Sequence, residues 1–127
     1  MKILLVDDHA LFREGVALLL QRLDPDVVVV EAGNSRDALR SIDENPDCEL
    51  VLLDLGLPDL SGLDAIAAIR ERNAGVPVVV LSASEEKAMV LRALDQGAMG
   101  FIPKSSTSEL MLGALITPRF WGCATSC

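Results

Sequence analysis

Residues 50–82 read LVLLDLGLPDLSGLDAIAAIRERNAGVPVVVLS, and they hold a complete unit of strand, helix and strand. Leu50 to Leu53 is an unbroken apolar run of strand length. A loop carrying Gly56, Pro58 and Gly62 follows. Ser61 or Gly62 opens a segment whose apolar residues, Leu63, Ile66, Ala67 and Ile69, recur at helical spacing, and it ends near Asn73 to Gly75. Val76 to Ser82 is then a second apolar run, dominated by Val. Near-continuous β-branched runs of this kind suit strands buried on both faces of a parallel sheet.

The alternation extends in both directions. Ile3 to Val6, the Val-rich run Val27 to Val30, and Met99 to Ile102 read as further strands. Leu11, Val16, Leu19, Leu20 and Leu23 share one helical face, which stops before Asp24-Pro25. Ser35 reads as the N-cap of a helix carrying Ala38, Leu39 and Ile42 and stopping before Asn45-Pro46. Ser84 caps a fourth helix, with Glu85 and Glu86 in its first turn, Met89, Val90, Ala93 and Leu94 on its apolar face, and Gly97 at its end. A fifth, capped by Ser106, Thr107 or Ser108, carries Leu110, Met111, Ala114 and Leu115 and is cut short by Thr117-Pro118. Strand and helix thus alternate five times. The expected class is α/β: a doubly wound, five-stranded parallel sheet with helices on both faces.

Composition bounds the function. The chain has 127 residues, 50% hydrophobic and 24% charged, the size and balance of one globular domain. Its net charge is −8, which repels phosphate backbones and anionic lipid and predicts no direct nucleic-acid binding and no membrane adhesion. The apolar run after Met1-Lys2 is too short for a signal peptide, and no stretch is long enough to span a membrane. Cys48, Cys123 and Cys127 are too few and too unevenly placed for a disulfide framework. A cytoplasmic protein is the expectation.

In sheets of this class the site lies beyond the carboxyl ends of the strands. The first strand ends in Asp7-Asp8, the third in Asp54, the fourth in Ser82 and the fifth in Pro103-Lys104. Three carboxylates, a hydroxyl and an ammonium would therefore meet at one edge. Carboxylates drawn together repel one another, and a hard cation such as Mg²⁺ relieves that repulsion through oxygen ligands. A carboxylate can also act as a nucleophile toward phosphorus, and phosphoryl transfer asks chiefly for positioning and neutralisation of the equatorial oxygens. Ser82 and Lys104 would supply such contacts, with Ala83 leaving room beside them. Singly, each residue has a plainer reading: Asp54 as a turn former, Ser82 as a helix cap, Lys104 as a surface charge, His9 as a helix-start residue. Their joint placement at strand ends is what points to a site.

These residues resemble the receiver domain of two-component response regulators. The resemblance covers residues 1–116 and rests on Val6-Asp7-Asp8-His9, on Leu53-Asp54-Leu55-Gly56-Leu57-Pro58 with Ser61-Gly62, on Leu81-Ser82-Ala83, and on Gly100-Phe101-Ile102-Pro103-Lys104-Ser105. The wording is most similar to the LuxR-type regulators, whose receivers precede a helix-turn-helix output domain. The resemblance implies a flavodoxin-like (βα)₅ fold. It implies Asp54 as phosphoacceptor, Asp8 and Asp54 as direct ligands of Mg²⁺, Asp7 as a ligand through water or directly, and the backbone carbonyl of Gly56 as the remaining protein ligand. Ser82 and Lys104 would hold the phosphoryl group, and Ser82 and Phe101 would switch. It further implies a histidine kinase as partner and a phospho-dependent homodimer, in a signalling domain rather than an enzyme.

Rival classes fit less well. An aspartyl-nucleophile phosphohydrolase needs a second Asp two residues after the first, where this chain has Gly56. A nucleotide-binding module needs a glycine-rich first turn, where this chain has Asp7-Asp8-His9-Ala10. A receiver fold used only as a binding scaffold, without phosphorylation, is the remaining alternative. Residues 117–127 depart from the family pattern: Pro118 interrupts the fifth helix, and Phe120, Trp121, Cys123 and Cys127 crowd into an atypical tail. No output domain is expected within the chain, which reads as a piece of a longer regulator in preference to a single-domain receiver.

Overall fold

Each apolar run becomes a strand of one sheet, as the computed structural model of the chain shows for residues 1–55, 62–82 and 87–103. The strands are β1 (Lys2–Val6), β2 (Val28–Ala32), β3 (Leu50–Asp54), β4 (Val78–Ser82) and β5 (Gly100–Pro103). The helices among the described residues are α1 (Ala10–Leu23), α2 (Ser35–Glu44), α3 (Gly62–Arg72) and α4 (Lys87–Asp95). All neighbouring strands are parallel, in the order β2-β1-β3-β4-β5. The fifth helix and the tail expected after residue 104 lie outside the described residues.

Two cores flank the sheet. Leu4, Val6, Val51, Leu53, Val78 and Val80 face α2, α3 and α4, where Ala38, Ile42, Ile66, Ile69 and Ala93 meet them. Ile3, Leu5, Leu50, Leu52, Val79 and Leu81 face the other way, toward Val16, Ala17 and Leu20 of α1. The period-2 alternation along each central strand thus feeds two layers, and each fully buried Leu or Ile contributes about 2 kcal/mol. Cys48 belongs to the first core; its Sγ donates to the Leu50 carbonyl at 3.3 Å, and burial pushes the thiol up, so it is a packing residue.

Four expectations shift. The run Val27 to Val30 is not buried on both faces: Val28 is 52% exposed and Glu31 is exposed, because the strand order puts β2 at the sheet edge. The strand also starts one residue later than the run and extends to Ala32. The fourth run begins at Val76, but β4 begins only after Pro77, which has no N–H for the ladder. The cap of α2 is Asn34 rather than Ser35: Asn34 is extended, and its side chain accepts from the Asp37 N–H at 2.8 Å. Ser35 is the buried first residue of the helix.

Gly97 ends α4 as the spacing predicts. Its φ is +108°, its N–H reaches the Leu94 carbonyl at 3.0 Å and the Ala98 N–H reaches the Ala93 carbonyl at 3.0 Å, the paired bonds of a Schellman turn. Arg70 of α3 crosses it, donating from Nη1 to the Gly97 carbonyl at 3.2 Å. A Cβ at Gly97 would stand 2.5 Å from the Arg70 Cδ. Gly97→Ala is therefore expected to cost roughly 1–3 kcal/mol in urea unfolding, from the left-handed backbone and the displaced arginine together. Arg70→Ala removes the second cause, so the double variant should be less destabilised than the sum of the singles.

Candidate functional site

β1 and β3 lie side by side with Val6 opposite Leu53, so Asp7 and Asp54 are the next residues on adjacent strands. Residues 47 apart in sequence meet for that reason alone. Asp7 is fully buried and Asp54 is 4% exposed, an unusual depth for carboxylates. Asp8 and His9 lie on the exposed side of the same turn. Asp7, Asp8, His9 and Asp54 each present a donor atom, and these atoms all lie within 4.8 Å of one another, the one such group among the described residues.

Backbone bonds set the turn. The Asp7 N–H donates to the Ala32 carbonyl at 3.0 Å, continuing the β1–β2 ladder one residue past the strands. The His9 N–H donates to Asp7 Oδ1 at 2.8 Å. The Asp7 carbonyl accepts from Arg13 Nη1 at 2.5 Å, while Arg13 Nε donates to Glu31 Oε1 at 3.0 Å. Arg13 thereby ties α1, the acidic turn and β2 together, and its Nη1 lies 3.3 Å from where a Gly33 side chain would begin. The sequence reading missed Arg13. Its place one turn into α1 was visible, but Glu31 lies 18 residues away and the Asp7 partner is a backbone atom.

His9 is a helix-start residue, as expected: it is the N-cap of α1. Its side chain makes no capping bond. The ring lies over the carboxylates instead, with Nδ1 3.2 Å from Asp7 Oδ1 and 3.2 Å from Asp8 Oδ1.

Ser82 is the last residue of β4 and pairs with Pro103, one step beyond the Asp54–Leu81 pair, so its backbone sits at the same edge. The Leu55 N–H reaches the Leu81 carbonyl at 3.2 Å and holds the chain beyond Asp54 against β4. Phe101 in β5 is half-buried and packs against the core on the α2–α4 side. Gly56, Ala83 and Lys104 lie outside the described residues.

The donors fit a hard divalent cation. They are mainly carboxylate oxygens, two of them on buried residues, and their 4.8 Å envelope is wider than the about 4.2 Å between opposite ligands of an octahedron, so the donors would close in by several tenths of an ångström around a cation. A parallel (βα) sheet with such a carboxylate pocket at its carboxyl edge belongs to the class of open α/β folds that bind their ligands there. The comparisons make that class specific. The sequence profile of the response regulator receiver domain matches residues 3–116, and the chain belongs to that family.

A glycerol metabolism activator from Pseudomonas putida is 39% identical over 114 residues, 90% of this chain and 52% of that protein. A LuxR-family two-component response regulator from Aurantimonas superposes with a TM-score of 0.83 at 29% identity, covering 98% of this chain and 94% of the other. The receiver domain of a NarL response regulator from Mycobacterium tuberculosis gives 0.81 at 36% identity, covering 99% and 97%. The chain spans about half the length of the curated relatives it matches. The homologues are LuxR/NarL-type response regulators, and phosphorylation-based switching is general for the family. It is a family of signalling domains, and receivers of this kind partner with histidine kinases. No helix among the described residues is long and apolar enough to cross a membrane.

Proposed function

We propose that this receiver domain takes a phosphoryl group on Asp54 from the phosphohistidine of a partner kinase. One observation carries the reading: Asp54 is buried at the carboxyl end of β3, with donor atoms of Asp7 and Asp8 within 4.8 Å. An Asp54 oxygen attacks phosphorus, and the bond from phosphorus to the kinase imidazole breaks in line. Asp7, Asp8, Asp54 and the Gly56 carbonyl would hold Mg²⁺, which when bound supplies positive charge to the phosphoryl oxygens. Ser82 and Lys104 would contact the same oxygens. The added charge of about −1, carried on three acceptor oxygens, draws them in, the β4 loop moves, and Phe101 repacks. The output is a shift between two packings of the face formed by α4, β5 and the segment after it.

The same proposal places the domain in the cytoplasm, ahead of a transcriptional output module elsewhere in a longer protein. Three curated relatives are named transcriptional regulatory proteins. With a net charge of −8 this part would not bind nucleic acid itself, and its phosphorylated form would pair with a second copy.

The test is intact mass after incubation with acetyl phosphate. One added phosphoryl group that needs Mg²⁺ and is prevented by EDTA supports the reading. A folded, Mg²⁺-binding chain that stays unmodified would make it a receiver-shaped binding scaffold.

A further inference from the structure

His9 has no part in the reading above, yet its ring nitrogen stands inside the carboxylate group. We infer that His9 is a fourth donor to a divalent cation in this pocket, and that it tilts the site toward borderline cations such as Co²⁺ relative to Mg²⁺. The inference rests on the proposed cation pocket of Asp7, Asp8 and Asp54.

The spacing carries it. Adjacent ligands of an octahedral cation stand about 3.0 Å apart. His9 Nδ1 is 3.2 Å from Asp7 Oδ1 and 3.2 Å from Asp8 Oδ1, and the Asp54 donor lies within the same 4.8 Å envelope. Nδ1 is hydrogen-bonded to Asp7 Oδ1 and within ion-pair distance of Asp8 Oδ1, and the same spacing suits adjacent ligands of a cation that displaces that hydrogen bond. The root of the side chain is anchored, because the His9 N–H donates to Asp7 Oδ1 at 2.8 Å. The ring itself is 68% exposed, so it can adjust by tenths of an ångström without repacking a core. It makes no capping bond, so the one ring contact among the described residues that a cation displaces is that to the carboxylates.

The chemistry gives the direction. Carboxylate oxygens are hard donors and suit Mg²⁺, whereas an imidazole nitrogen is a borderline donor that Mg²⁺ scarcely uses. Adding one such nitrogen to three carboxylates raises affinity along the first transition series more than for Mg²⁺. An all-oxygen pocket would discriminate less.

His9 is the chain's single histidine, so the test has no assignment problem. The untagged chain is titrated with Mg²⁺ and with Co²⁺ by calorimetry, in parallel with His9→Ala and His9→Asn. The parent is expected to bind Co²⁺ roughly tenfold or more tightly than Mg²⁺. Both variants should lose about tenfold in Co²⁺ affinity and less than about threefold in Mg²⁺ affinity. Independently of any variant, sub-stoichiometric Co²⁺ should shift or broaden the histidine ring signals in NMR, and excess Mg²⁺ should restore them. That competition shows that the Co²⁺ sensed by the ring shares its site with Mg²⁺. An unchanged ratio of the two affinities, tighter binding of both cations in the variants, or ring signals blind to Co²⁺ would each overturn the role of His9. If the variants match the parent while Asp54→Asn weakens both cations, only His9 falls. If the parent binds neither cation, the pocket reading falls with it.

Discussion

Asp54→Asn is expected to yield no phosphorylated species under conditions in which the parent chain gains one phosphoryl group. The loss should be complete rather than partial, because the variant removes the nucleophile itself and leaves an amide that is a poor one. Two further readouts separate this from damage to the fold. Asparagine keeps the size of the side chain at a 4% exposed position, so the circular dichroism spectrum should be unchanged. The variant also removes one of three clustered carboxylates, and with it part of their mutual repulsion, so in EDTA it should melt at or above the parent temperature. Cation linkage should change in the opposite sense. At a hundred times its dissociation constant, Mg²⁺ would stabilise the parent by about 2.7 kcal/mol, and the variant by clearly less. A variant that melts well below the parent in EDTA would mean that Asp54 is a structural residue. One that still gains the phosphoryl group would place the acceptor elsewhere.

The architecture was legible in the sequence because the hydrophobic period changes between elements. Leu50 to Leu53 followed by Ile66 and Ile69 can bury its apolar atoms only as a strand followed by a helix, and the parallel order follows from repeating that unit. Where an element sits in the sheet was not legible. Val28 to Val30 reads like Val78 to Val80, but edge position is set by the order of five strands, which no single run encodes. The α2 cap failed for a smaller reason. Asn34 and Ser35 are both good capping residues, and only the extended backbone at Asn34 decides between them.

The same distinction governs the site. Asp7 and Asp54 were visible because strand ends are visible, and adjacent parallel strands bring their ends together. Arg13 was not, because its value lies in bonds to a backbone carbonyl and to a glutamate on another strand. The position of the His9 ring was not legible either. A helix-start residue can turn its side chain toward the helix or away from it, and the carboxylates beside it draw the ring away.

Leu53→Ala should be the most damaging single change in the described core. Leu53 is fully buried on the central strand β3, between Val6 of β1 and Val80 of β4, in the core that also holds Ile66 and Ile69 of α3. The neighbours belong to two strands and a helix held by separate ladders and packing, so they cannot close over the space left behind. The cost is then the lost transfer energy plus the cavity, about 3–5 kcal/mol. A domain of this size has about 5–15 kcal/mol in total, so the melting temperature should fall by roughly 10 °C or more. Leu53→Met keeps the volume and should cost less than about 1.5 kcal/mol. The chemistry should respond differently from the stability. Below its melting transition Leu53→Ala keeps Asp7, Asp8 and Asp54, so it should still gain one phosphoryl group from acetyl phosphate with Mg²⁺. Full stability in urea would show that the core collapses around the alanine, against the rigid packing argued here. A folded variant that cannot be phosphorylated would show that the position of Asp54 depends on the side chain immediately before it.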